Sequence, residues 1–206
     1  METQVEFQKF IFVSFCLQGS NRRGWVWETQ RAGVQYTLDT VVQELAWDPD
    51  KRFIQVETAF FWRWWQQQVT FSVSGWMQSI DIPDKDEGTQ MLVRDLVTRG
   101  QLQFVGGGWS MNDEAVTHYV GIIDQMTLGL RSLNDTFGEC GVPNIAWQID
   151  PFGHSREQAD LFVKMGFEAL FFARLDYRDK LKRKEEKSLE MVWKTSNDDS
   201  SLFTGS

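Results

Sequence analysis

Between residues 144 and 157 the chain alternates, turns sharply and then meets a serine placed to cap a helix. That succession constrains the fold more than any other. Ile145, Trp147 and Ile149 fall on one face of an extended segment, and Ala146, Gln148 and Asp150 on the other. Pro151 and Gly153 end the strand. Ser155 then opens a helix whose first turn carries Glu157, where the positive end of the helix dipole favours a carboxylate. A strand, a carboxylate at its carboxyl end, a turn and a helix make half of a βα unit, and sites in such folds are built at that end. Taken alone, Asp150 also reads as an ordinary turn aspartate before proline.

The rest of the chain repeats the alternation of strand and helix. Val34, Leu38, Val41 and Leu45 mark one face of a helix that Asp48, Pro49 and Asp50 stop. Residues 53–61 read as a strand with Phe53, Gln55 and Glu57 on one face, which makes Glu57 a structural hydrogen-bonding residue near the strand's carboxyl end. Trp62 to Trp65 begin an aromatic helix or turn. Residues 69–90, with Gly75, Pro83 and a charged run, lack periodicity and read as an inserted loop. Residues 91–99 form a short helix closed by Gly100, and residues 102–105 a strand. Gly106, Gly107 and Gly108 are not followed by the Gly-Lys-Ser/Thr of a phosphate loop, so they serve a close turn. Ser110 and Asp113 have the spacing of a capping box. They introduce a helix whose core stripe is Val116, Tyr119, Ile123, Met126, Leu130, Leu133 and Phe137; His118 lies off it, at the surface or supporting a neighbour. A helix over 156–165 capped by Gly166 follows, then an apolar strand over 167–173 with Leu170, Phe172 and Arg174 on one face. Residues 180–187 form a solvated charged face, and 191–194 one more strand.

This order predicts an α/β protein with a parallel sheet, in one domain with a sizeable core for its 206 residues. A net charge of −8 argues against a nucleic acid partner, since phosphate binding needs clustered lysine and arginine. Cys16 and Cys140 make neither a disulfide framework nor a metal motif. No stretch is long and apolar enough for a transmembrane segment. Residues 10–17 resemble a signal-peptide core, but the leader holds Glu2 and Glu6 against Lys9, the wrong charge for one. Asn134, Asp135 and Thr136 form a glycosylation sequon inside an expected helix. Ten tryptophans and sixteen phenylalanines suit either an aromatic core or ring faces packed on sugars.

Three strings carry a resemblance. They are residues 150–155 (Asp-Pro-Phe-Gly-His-Ser), residues 107–115 (Gly-Gly-Trp-Ser-Met-Asn-Asp-Glu-Ala) and residues 172–177 (Phe-Ala-Arg-Leu-Asp-Tyr), joined by similarity over residues 30–61. Together they resemble the class II α-mannosidases, glycoside hydrolase family 38, and within it the lysosomal branch. The resemblance implies an incomplete seven-stranded parallel α/β barrel-like catalytic domain. It implies retaining hydrolysis of terminal α-linked mannose on N-glycan oligosaccharides by two carboxylates about 5 Å apart. Asp150 matches the nucleophile, which is also a zinc ligand; Phe152 would pack beside the sugar, and Arg174 would support the nucleophile or a sugar hydroxyl. Zinc is the implied cofactor, able to stabilise charge and hold a distorted sugar ring, and the lysosome the implied location.

The family's zinc takes two histidines and two aspartates, two of them from a His-x-His-x-Asp-x-Gly-Trp motif. Here Asn21-Arg22-Arg23-Gly24-Trp25 stands where that motif would, without histidine. Residues 1–29 are therefore expected to be a divergent segment and residues 30–206 a partial catalytic domain with an insertion at 69–90. The other metal ligands and the acid/base residue would come from the remainder of a mannosidase chain. Two further readings stand beside this one: a stable, catalytically inactive isoform acting as a binding module, and a truncated product whose unpaired sheet edges keep it from folding.

Overall fold

A computed structural model of the chain describes residues 10–11, 34–70, 85–196 and 200–206. The string at residues 21–25, Cys16, and the stretch 71–84 with Gly75 and Pro83 lie outside them. The first half runs β1 (Phe10–Ile11), α1 (Val34–Trp47), β2 (Arg52–Gln55), α2 (Thr58–Thr70), α3 (Lys85–Thr98) and β3 (Leu102–Phe104). The second half runs α4 (Tyr119–Phe137), a 3-10 turn (Gly138–Gly141), β4 (Ile145–Gln148), α5 (Arg156–Lys164), β5 (Ala169–Phe172), α6 (Tyr177–Glu186), β6 (Met191–Lys194) and β7 (Ser201–Gly205). None of the helices among the described residues is long and apolar enough to cross a membrane.

The described strands form two sheets, β1-β2-β3 and β4-β5-β7-β6. All pairings are parallel except the edge pair β6 with β7, which is antiparallel, so the architecture is mixed α/β with parallel strands. The amide of Gly106, just past β3, donates to the carbonyl of Ile145 at the start of β4 (2.8 Å), which places the two sheets side by side. Each sheet has its own core. Leu38, Leu45, Phe53, Phe61, Trp64 and Leu96 fill the first; Ala146, Ala159, Phe162, Leu170, Phe172 and Leu202 fill the second. Helix α4 spans both, since Ile122 and Met126 enter the second core and Leu133 the first. Where it crosses between them Gly129 lies against the backbone of Gly107, Gly108 and Trp109. Buried Trp64 keeps its polar tip satisfied by donating Nε1–H to Asp39 Oδ1 at 2.8 Å.

Several expectations shift. The strand read over 53–61 ends at Gln55, and Phe61 belongs to helix α2. The amides of Thr58 and Ala59, orphaned at a helix start, donate to the carbonyls of Gly108 and Trp109 at 3.0 Å each, so the glycine turn anchors that helix from outside. The helices reach into 69–90 from both sides, with Val69 and Thr70 closing α2 and residues 85–90 opening α3. Helix α4 starts at Tyr119 rather than after Ser110. Asp113 Oδ1 instead accepts the amides of Ala115 and Val116 at 2.7 and 2.9 Å, a local turn that competes with helix. The buried face of α4 is accordingly Ile122, Met126, Gly129 and Leu133, while Val116 (85 % exposed) and Tyr119 (56 %) face outward. His118 is the N-cap, its Nδ1 accepting the Val120 amide. Asn134 lies within α4. Cys140 is a free, exposed thiol.

Candidate active site

Strands β4 and β5 run parallel in a register that pairs Gln148 with Phe172. Asp150 and Arg174 each lie two residues beyond those partners, so the sheet itself brings them together at its carboxyl edge. Arg174 donates through Nε (3.0 Å) and Nη2 (2.6 Å) to the same oxygen of Asp150, Oδ1. The pair is part-exposed, Arg174 at 46 % and Asp150 at 26 %. Phe152, 74 % exposed, presents its ring 5.9 Å from the Arg174 guanidinium carbon. An open hollow of about 570 Å³ lies between Phe152, His154, Arg174 and Asp176. The three residues expected at the site thus gather at one place.

Behind them is a carboxylate that the sequence reading did not single out. Glu114, its side chain 2 % exposed, sits in the turn before α4. Its Oε1 accepts from Gln148 Nε2 and lies 3.1 Å from His154 Nδ1, and its Oε2 accepts the Ser155 amide at 2.6 Å. The other ring nitrogen of His154 lies 2.9 Å from the carbonyl of Arg174. The only hint of Glu114 in the sequence was its place in the family string at 107–115.

Both partners of His154 are acceptors, so both ring nitrogens donate only when the imidazole is charged. Burial pushes the His154 pKa down, but the hydrogen bonds to Glu114 and the Arg174 carbonyl, with the charge of Glu114, outweigh it and the pKa is raised. A raised histidine pKa contributes stability that is complete below the unfolded value of about 6.5 and is lost as pH rises through the folded value. His154→Phe keeps a ring to pack against Phe172, 4.3 Å away, and deletes both bonds. It should therefore cost about 1–3 kcal/mol, more at pH 5 than at pH 8. Urea unfolding at the two pH values checks this, and an equal loss at both contradicts it.

Glu57 lies two residues past β2 in the left-handed region, at φ 59°, a costly conformation for a residue with a side chain. Its carboxylate accepts the Met111 amide at 3.2 Å. Burial raises its pKa, the Met111 bond pulls it back, and the negative charge of Asp150 raises it further. The hydrogen-bonding role expected of Glu57 is the one it has.

The described residues do not fit zinc. Among them no three His, Cys, Asp or Glu side chains converge, whereas zinc takes three or four protein ligands. Asp150 is engaged by Arg174, His118 caps α4, and His154 is committed to Glu114 and Arg174.

Residues 22–206 match the family described as glycosyl hydrolases family 38, N-terminal domain. The lysosomal alpha-mannosidase of Felis catus is 57 % identical over 169 residues, which cover 82 % of this chain and 15 % of that protein. The protein of the same name from Homo sapiens is 53 % identical over 182 residues, covering 86 % and 16 %. The chain thus spans about one-sixth of the length of these curated relatives. Among solved structures, an alpha-mannosidase from Enterococcus faecalis superposes with a TM-score of 0.58 at 17 % identity, covering 84 % of this chain and 17 % of that one. At that identity the likeness speaks to the fold. With a family match over nearly the whole chain and high identity to its curated members, the chain belongs to glycoside hydrolase family 38, within the amino-terminal domain of that family.

Proposed function

We propose that this chain is the part of a retaining α-mannosidase that carries the nucleophile, Asp150. The observation that supports it most is the pairing of Asp150 with Arg174 at the carboxyl edge of β4 and β5. With a terminal α-mannoside seated over Phe152, a carboxylate oxygen of Asp150 attacks the anomeric carbon. The glycosidic bond breaks with its electron pair on the leaving oxygen, which takes a proton from a carboxylic acid in the remainder of the mannosidase chain. Water then hydrolyses the mannosyl ester, and two displacements retain configuration. Arg174 holds one oxygen of Asp150 with two donors, fixing the plane of the carboxylate. Phe152 offers an exposed ring face to sugar C–H groups. Among the described residues no three ligands gather to hold zinc. The substrates in this reading are mannose-terminated N-glycan oligosaccharides, the fold is one part of a seven-stranded α/β barrel, and the location is the lysosome named for the relatives.

The test is covalent trapping. A fluorinated α-mannosyl fluoride forms the glycosyl ester and releases it slowly, and fluoride departs without help from an acid, so a missing acid does not confound the result. One mannosyl adduct on the peptide containing Asp150 is expected by mass mapping. An adduct on another carboxylate would move the nucleophile, and no adduct on folded protein would leave sugar binding at most.

A further inference from the structure

The geometry points to Glu114 as a positioning residue for Asp150, an inference that rests on Asp150 being the reacting carboxylate. The loop bearing Asp150 leaves β4 after Gln148 and enters α5 after Ser155, with no regular structure between. One buried carboxylate holds both ends of it. Gln148 binds Glu114 before the loop, and His154 and Ser155 bind it after. His154 also reaches the Arg174 carbonyl, and the Arg174 side chain returns to Asp150, which closes a ring of contacts around the loop.

Glu114 is itself anchored by its neighbours. The Asn112 carbonyl accepts from Gln148, the Asn112 amide donates to buried Gln158 on α5 at 2.8 Å, and Asn112 Oδ1 accepts from Gln125 on α4. The clamp is therefore tied to β4, α4 and α5 at once, the kind of support that holds a reacting group within a fraction of an ångström.

The chemistry at position 114 is specific to a carboxylate. Three donors converge on its two oxygens: an amide, a ring N–H and a backbone N–H. A glutamine there has one oxygen, and its NH2 would face either the Ser155 amide or the Gln148 and His154 donors, donor against donor. Burying a carboxylate is costly unless it is so satisfied, and here its bonds lead to the segment bearing Asp150.

Two readouts test this on the whole chain. The first is the 15N–1H signal of Arg174 Nε, which donates to Asp150 Oδ1, with Asp150→Ala as the reference for a lost acceptor. The second is the rate of labelling by the fluorinated mannosyl fluoride. Glu114→Gln should move the signal at least half-way to the reference and slow labelling about 10- to 100-fold, the scale of small misplacements at a reacting centre. Glu114→Asp keeps the charge on a side chain one methylene shorter, so it should recover part of the rate and leave the signal displaced part-way. A signal and rate both unchanged in Glu114→Gln, with only the unfolding midpoint lowered, would overturn the proposal and leave Glu114 a purely structural residue. A moved signal in a chain that the probe never labels would uphold the positioning of Asp150 and sink the hydrolase reading instead. Should Glu114→Gln not fold, Glu114→Asp carries the test: a signal displaced part-way supports the clamp, and an unmoved one refutes it.

Discussion

An alanine at Gly129 is expected to lower stability by about 3 kcal/mol or more, among the largest losses any one methyl group causes by overpacking. Gly129 sits where α4 crosses the glycine turn. A Cβ there would collide with the Gly107 carbonyl oxygen and stand 2.6 Å from the Gly108 carbonyl carbon and 2.7 Å from the Trp109 nitrogen. All three are backbone atoms, so no rotamer change relieves the clash. The turn cannot retreat either, because its carbonyls anchor α2 through Thr58 and Ala59 and the Gly106 amide ties β3 to β4. For a chain of 206 residues the loss corresponds to a fall of about 6–12 °C in Tm. Gly88 in α3 is the control, since a Cβ there meets nothing within 4 Å. Gly88→Ala should be neutral or stabilise by up to about 1 kcal/mol through helix propensity. Equal midpoints for the two variants would mean that α4 does not press on the turn.

The second large effect is on chemistry. Asp150→Asn should slow mannosyl transfer to the protein by at least about 1,000-fold, the usual scale for removing a nucleophile. An amide oxygen is a poor attacker and forms no stable sugar ester. Arg174→Lys should lose about 100-fold, because an ammonium is a point charge and cannot give Asp150 Oδ1 the paired donors Nε and Nη2. Since the Asp150–Arg174 pair is part-exposed and screened, its loss should change unfolding free energy by no more than about 1 kcal/mol. Activity falling without stability is the signature sought in a labelling series paired with urea unfolding. An Arg174→Lys variant that labels at the unsubstituted rate would remove Arg174 from the mechanism.

What could be read from the sequence was what near neighbours decide. The start of α5 at Ser155, which accepts the Glu157 amide, was legible, because a cap is settled within three residues. So were the positive φ of Gly100 and Gly166 after their helices, and the solvated face of α6, which has no buried residue. The alternation of β4 and β5 was legible in the same way, with Ala146 and Gln148, then Leu170 and Phe172, turned inward. Where partners far along the chain decide, the reading failed. The onset of α2 depends on carbonyls about fifty residues away, at Gly108 and Trp109, that accept its first amides. The outward turn of Val116 and Tyr119 depends on Asp113 making a local turn and on Glu114 being drawn toward His154.

Asp150 and Arg174 show the division most clearly. The alternating pattern by itself put each at the end of a strand, because side chains in a strand point to opposite faces in turn. Only the tertiary structure made them a pair. A parallel ladder with Gln148 opposite Phe172 sets their meeting, and a slip of one residue would turn Arg174 to the other face of the sheet and break the contact with Asp150.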